Sequence, residues 1–89
     1  MDEIDEVLAE RGAGYGPPDR QWPEIGNAWT ALLQDHYNID LPHAIPGHVA
    51  ALMMDMMKTF RAVHAYKDDN YLDKGGYSQI AQTIHKSVN

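Results

Sequence analysis

Cysteine is missing from all 89 residues. That excludes disulfides and thiolate metal ligands, so neither a covalent staple nor a Cys-based zinc site holds this chain together. Basic residues are also scarce. Seven Lys and Arg stand against thirteen Asp and Glu, for a net charge of −6. A general DNA binder shows a basic stripe that neutralises phosphates, and none is visible here. Long apolar runs are lacking too. The best stretch, around Val49 to Met57, is broken by Asp55, whereas a membrane span needs about 20 residues. The acidic opening Met1-Asp2-Glu3-Ile4-Asp5-Glu6 is the opposite of a signal-peptide n-region, so the cytoplasm is the expected compartment. There is no GxSxG, no P-loop and no Rossmann glycine pattern. The five histidines (His36, His43, His48, His64 and His85) show no i, i+4 zinc pairing. His43 and His48 flank a Pro-Gly turn, a spacing that makes a weak zinc candidate.

What is present reads as helix. The length fits one domain over residues 1–89. Residues 2–11 form a short helix with Ile4, Val7, Leu8 and Arg11 on one face and acids in its first turn. Gly12-Ala13-Gly14-Tyr15-Gly16-Pro17-Pro18 breaks it, as a loop whose backbone can approach a ligand closely. A second helix starts near Pro23, a residue favoured at the first helical position, and fades by His36. Its stripe is Ile25, Ala28, Trp29, Leu32 and Leu33. Asn38 to Gly47 is a connector. The third helix runs from about Gly47 to Tyr66, with Val49, Leu52, Met56, Phe60 and Val63 as one clean stripe, widened by Ala50, Met53 and Met57. A helix apolar over most of its circumference sits centrally in a bundle or at a subunit interface. Lys67 to Asn70 form a turn, and the last helix spans roughly Tyr71 to Val88. The expected fold is therefore all-α: a small bundle of three main helices plus a short N-terminal one. A chain of this size buries only about two-thirds of its unfolded surface, so a homo-oligomer, dimer or higher, is expected.

The chemistry concentrates at the start of the last helix. Tyr77, Ile80 and Ile84 share its core face. Extended backwards by one turn, that face reaches Asp73, and one turn further lies Asp69. Carboxylates four apart on a helix are close enough to share one cation, and Mg²⁺ commonly takes one or two protein carboxylates with water and substrate phosphates. The competing reading is capping: Asp68, Asp69 or Asn70 serves as an ordinary N-cap, with Asp73 near a capping-box position if Asn70 is the cap. On the third helix, Asp55, Lys58 and Arg61 fall at i, i+3 and i+6 as a narrow polar strip. Arg61 needs an anion if it is buried, either Asp73 or a ligand phosphate. The alternative is a structural salt bridge between the third and last helices, with Asp55 pairing Lys58 along the surface. The Met cluster at 53, 54, 56 and 57 reads as core or interface filler.

Three patches taken together carry a resemblance. Arg11-x-x-x-Tyr15-Gly16, Lys58-x-x-Arg61 and Asp68-Asp69-Asn70-Tyr71-Leu72-Asp73-x-x-Gly76-Tyr77 resemble a family of short phage-encoded proteins of unassigned function. Ala13 departs from that pattern, where a Lys is expected. The family in turn is distantly similar to the MazG-like all-α nucleotide pyrophosphohydrolases. The resemblance implies a dimerising helical bundle that cleaves a nucleoside triphosphate to monophosphate and pyrophosphate with Mg²⁺. Asp69 and Asp73 would then hold the metal, Lys58 and Arg61 would hold phosphates and stabilise the transition state, and Arg11, Tyr15 and Tyr77 would line the substrate pocket. The second acidic pair of such enzymes is not evident: Glu24-Ile25-Gly26-Asn27 has one acid at that spacing, and Asp55 stands alone. Whether the chain is an enzyme therefore stays open. Two alternatives stand beside it. One is a non-catalytic protein that sequesters a nucleotide or nucleotide-derived signal. The other is a module that binds a host protein through its apolar third helix, in the cytoplasm of a bacterial host if the chain is phage-encoded.

Overall fold

The computed structural model describes residues 17–87. The expected N-terminal helix, with Arg11 and Tyr15, lies outside the described residues. Three helices follow one another: α1 (Pro18–Tyr37), α2 (Gly47–His64) and α3 (Asp68–Ser87). The described part is all-helical, and none of its helices is long and apolar enough to cross a membrane.

α1 begins five residues before the expected start at Pro23. The adjacent prolines are the reason. A residue preceding proline is pushed to extended backbone, and Pro17 is extended at φ −66°, ψ 136°. Pro18 then supplies a ready-made helical φ at a position whose N–H has no helical partner anyway. Asp19 adds an acid to the first turn, where the helix dipole favours it. Pro23 thus lies inside the helix. At the other end Asn38 is left-handed (φ 52°) and its backbone N–H returns to the Gln34 carbonyl, a normal use of Asn as a helix terminator. The Gln34 side chain also accepts from the Leu41 N–H at 2.8 Å.

α1 meets α2 with almost no space between backbones. A Cβ on Gly26 would lie 2.0 Å from the Ile45 carbonyl oxygen, and one on Gly47 would lie 2.9 Å from the Pro23 nitrogen. Thr30 ties the same junction: its buried hydroxyl accepts from the Ile45 N–H at 2.7 Å and donates to the Gly26 carbonyl at 2.7 Å. α2 and α3 run antiparallel, as the pairings of Lys58 with Asp73 and of His48 with His85 require. Trp22, Ala50, Ala51, Ala81 and Ile84 form the core, with Ile25, Trp29, Ile45, Met54, Tyr77 and Ile80 partly buried around it.

This core differs from the expected one in two places. On α1, Leu32 is 67% exposed and Ala28 is exposed as well, while Trp22 is the most buried large side chain of that helix. On α2, the clean stripe faces outward: Leu52, Met56, Phe60 and Val63 are all exposed. The inward side of α2 is Gly47, Ala50 and Ala51. Small side chains let helix axes approach closely, and that approach gains more contact than a layer of long side chains held at a distance.

Gly26 gives a direct test. Gly26→Ala places a methyl against backbone that cannot yield. Overpacking of this kind costs about 1–3 kcal/mol, and each kcal/mol lowers Tm by about 4–8 °C in a domain of this size. Thermal melting followed by circular dichroism should show that loss. An unchanged midpoint would contradict the close contact of α1 with the connector that leads into α2.

Candidate functional site

The charged residues gather where α2 and α3 face each other. Each helix contributes one acid and one base. Lys58 Nζ on α2 lies 2.8 Å from Asp73 Oδ2 on α3, with both side chains about nine-tenths covered. Lys74 Nζ on α3 lies 2.6 Å from Asp55 Oδ1 on α2 and donates to Thr59 Oγ1 at 2.5 Å. The Thr59 hydroxyl in turn donates to the Asp55 carbonyl at 3.2 Å. The result is two crossed ion pairs on adjacent turns, neutral as a set.

Helix packing explains the placement. With Gly47, Ala50 and Ala51 inward, the same side of α2 reaches Lys58 two turns later. On α3, the face defined by Ile84, Ala81, Tyr77 and Gly76 reaches Asp73 and Asn70, both buried. The backward extension from Tyr77 to Asp73 is therefore correct, and it ends on Lys58. The pairing Asp55–Lys58 along one helix is not formed, because each finds a partner across the interface. Arg61 does not meet Asp73. It is exposed and has no ion-pair partner among the described residues.

Asn70 is the third residue of α3, not its cap, and its N–H bonds the Lys67 carbonyl at 3.1 Å. α3 opens at Asp68, three residues before the expected Tyr71. Asp68 and Asp69 occupy its first turn, the favourable end of the dipole. Asp68 also accepts a hydrogen bond from the Tyr66 hydroxyl. That bond, and then the carboxylate's charge, raises the Tyr66 pKa above its ordinary value of 10.0. The phenol stays protonated through neutral pH, and its donated bond is lost as pH rises past the raised value.

Asp69 and Asp73 lie one turn apart on α3 but in different surroundings. Asp69 is exposed, whereas Asp73 is buried and paired. No group of three or more His, Asp or Glu side chains converges among the described residues. An ammonium at 2.8 Å already occupies the cation position beside Asp73. These residues do not fit a preformed Mg²⁺ site. Tyr77 is half-buried with its ring edge-on to Trp22, centroids 5.9 Å apart, so it packs the core beside the cluster. Lys74 and Thr59 were not foreseen as members. The signal for Lys74 was its position next to Asp73, which places it opposite Asp55 once α2 and α3 are antiparallel.

A family model, "Domain of unknown function (DUF6378)", matches residues 1–85. The chain belongs to the DUF6378 family. No curated protein and no solved structure shows significant similarity to it. The match to the DUF6378 domain takes in all of α2, α3 as far as His85, and Arg11 and Tyr15.

The Lys58–Asp73 pair in this DUF6378 domain makes a sharp prediction. Removing one partner of a buried pair costs about 3–5 kcal/mol, because the other charge is left uncompensated, whereas an apolar pair of similar volume is close to neutral. Asp73→Leu should lower the urea midpoint strongly, and Lys58→Met/Asp73→Leu should recover most of that loss. Equal losses in the single and double variants would contradict the pairing.

Proposed function

We propose that this chain binds a phosphate-bearing small molecule, a nucleotide by class, at the α2–α3 charge cluster. The observation that carries the proposal is an exposed Arg61 one turn beyond a largely covered lysine, Lys58, whose only described counter-charge is Asp73. Residues three apart on a helix present neighbouring side chains. A ligand phosphate therefore meets Arg61 directly and competes with Asp73 for Lys58. Two largely buried charges are a large investment where the described residues contribute only five to the buried apolar core, and perturbed or costly charges concentrate at functional sites. The similarity of Lys58-x-x-Arg61 and the Asp68–Tyr77 block to short phage-encoded proteins, and more distantly to MazG-like enzymes, supports the choice of a nucleotide.

Binding without turnover fits the cluster better than hydrolysis. Asp73 is engaged by Lys58 and has only exposed Asp69 as a neighbouring acid on its own helix. The spacing of those two acids, one turn apart on α3, is what favours the second reading, a Mg²⁺-dependent pyrophosphohydrolase. That reading requires Asp73 to release Lys58. In either reading the site is used in the cytoplasm, that of a bacterial host if the gene is a phage's.

Titration calorimetry with linear and cyclic nucleotides, with and without Mg²⁺, tests the proposal. A nucleotide should bind, and Arg61→Ala should weaken it by roughly tenfold, the effect of losing about 1.4 kcal/mol of a charge-assisted contact, without lowering Tm. Ligand recovered intact indicates a binder, and released pyrophosphate indicates the enzyme. Absence of binding by every nucleotide, or full affinity in Arg61→Ala, would sink the site.

A further inference from the structure

We infer that the outward face of α2 is the interface of a homodimer, in which two copies of this helix pack antiparallel about Met56. The inference is independent of the ligand reading above. Val49, Met53, Met56, Phe60 and Val63 follow one another at intervals of four, three, four and three residues. That alternation is the 3.5-residue seam of paired helices, not a feature of a solvent-facing surface. At 100° per residue the seam lies opposite Gly47, Ala51 and Lys58, which face the chain's own bundle. α2 is therefore apolar on both sides, and only one side is covered by other described residues. Met56 is 56% exposed, Phe60 71% and Val63 83%.

The seam suits a second copy of itself. Read outward from Met56, it meets Met53 and Phe60, then Val49 and Val63. An antiparallel partner thus sets Val against Val, Met against Phe, and Met56 against Met56. No Asp, Glu, Lys or Arg lies on this face; Asp55, Lys58 and Arg61 all sit on the other half of the helix. Two chains of net charge −6 can meet here without opposing like charges, and antiparallel helix dipoles favour the arrangement.

The area is adequate. With a Phe-sized side chain burying about 150–250 Å², the exposed fractions of Leu52, Met53, Met56, Phe60 and Val63 leave on the order of 500 Å² of apolar surface per copy. A pair then buries about 1,000 Å², the size at which specific association begins. The need is equally plain, since no large side chain among the described residues is fully buried and small cores commonly rely on assembly.

The absence of cysteine makes the test clean. Sedimentation equilibrium of the full chain should give twice the 10.0 kDa chain mass. Single Met56→Cys should join to itself with a short bismaleimide. Val49→Cys alone should not, because an antiparallel partner places the two copies of residue 49 about 21 Å apart along the axis. A mixture of Val49→Cys and Val63→Cys should cross-link. Met56→Lys, at a position already exposed in one chain, should keep its helicity and weaken the dimer by roughly thirtyfold or more. A monomer mass at about 100 µM, a level that populates even weak specific dimers, overturns the proposal. So does self-linking of Val49→Cys, or a Met56→Cys that never links; in those cases the face serves residues 1–16 or a different protein.

Discussion

Everything else in this fold depends on how closely α2 approaches its neighbours. Gly47 takes the Pro23 ring and backbone against itself, Gly26 takes the Ile45 carbonyl, and Ala50 and Ala51 are fully covered. At such distances there is no room for a layer of long side chains. The helix is turned so that its smallest residues point inward, and its largest are left outside. Dispersion contacts between closely set backbones replace the volume that Leu or Phe would have filled.

That rotation of α2 has a chemical consequence. The inward side that carries Gly47 and Ala51 also carries Lys58, so the lysine is drawn between the helices with its charge. Asp73 meets it from α3, and Asp55 with Lys74 repeats the pattern one turn away. The crossed arrangement leaves no net charge between the helices, which is what makes the partial burial tolerable. It also leaves Arg61, one turn on, without an ion-pair partner among the described residues. The same constraint therefore produces the charge cluster on one side of α2 and, among the described residues, an exposed apolar seam on the other.

The helical class, the three main helices and the inward turn of Asp73 were legible in the sequence, because each rests on periodicity within one segment. The periodicity of Tyr77, Ile80 and Ile84 pointed to Asp73 correctly. On α2 the same periodicity left two readings open, a central helix or a subunit interface, and the stripe is exposed in the single chain. Its apolar stripe was real, but apolar periodicity identifies a face that must be covered and does not say by what. Deciding that Ala50 and Ala51 form the intramolecular side requires knowing the distance between helices. The start of α1 was missed for a local reason: Pro17-Pro18 reads as a loop ending when it is a helix start. The pairing of Lys58 with Asp73 was within reach of the sequence, but the Lys74 partner of Asp55 was missed because the register of two antiparallel helices is not a property of either one. Arg11 and Tyr15 fall outside the described residues.

The most direct test of this account asks which side of α2 is covered within a single chain. The cysteine-free sequence allows one thiol to be placed at either side, as Ala51→Cys or Val63→Cys, in chains dilute enough to be monomeric. Alkylation by a small maleimide should be slow at position 51, at least roughly a hundredfold slower than in the unfolded chain if opening costs 3 kcal/mol or more, and close to the unfolded rate at position 63. If position 51 reacts as freely as position 63, or if 63 is the protected one, then α2 is turned the other way, and both the charge cluster and the outward seam fail with it.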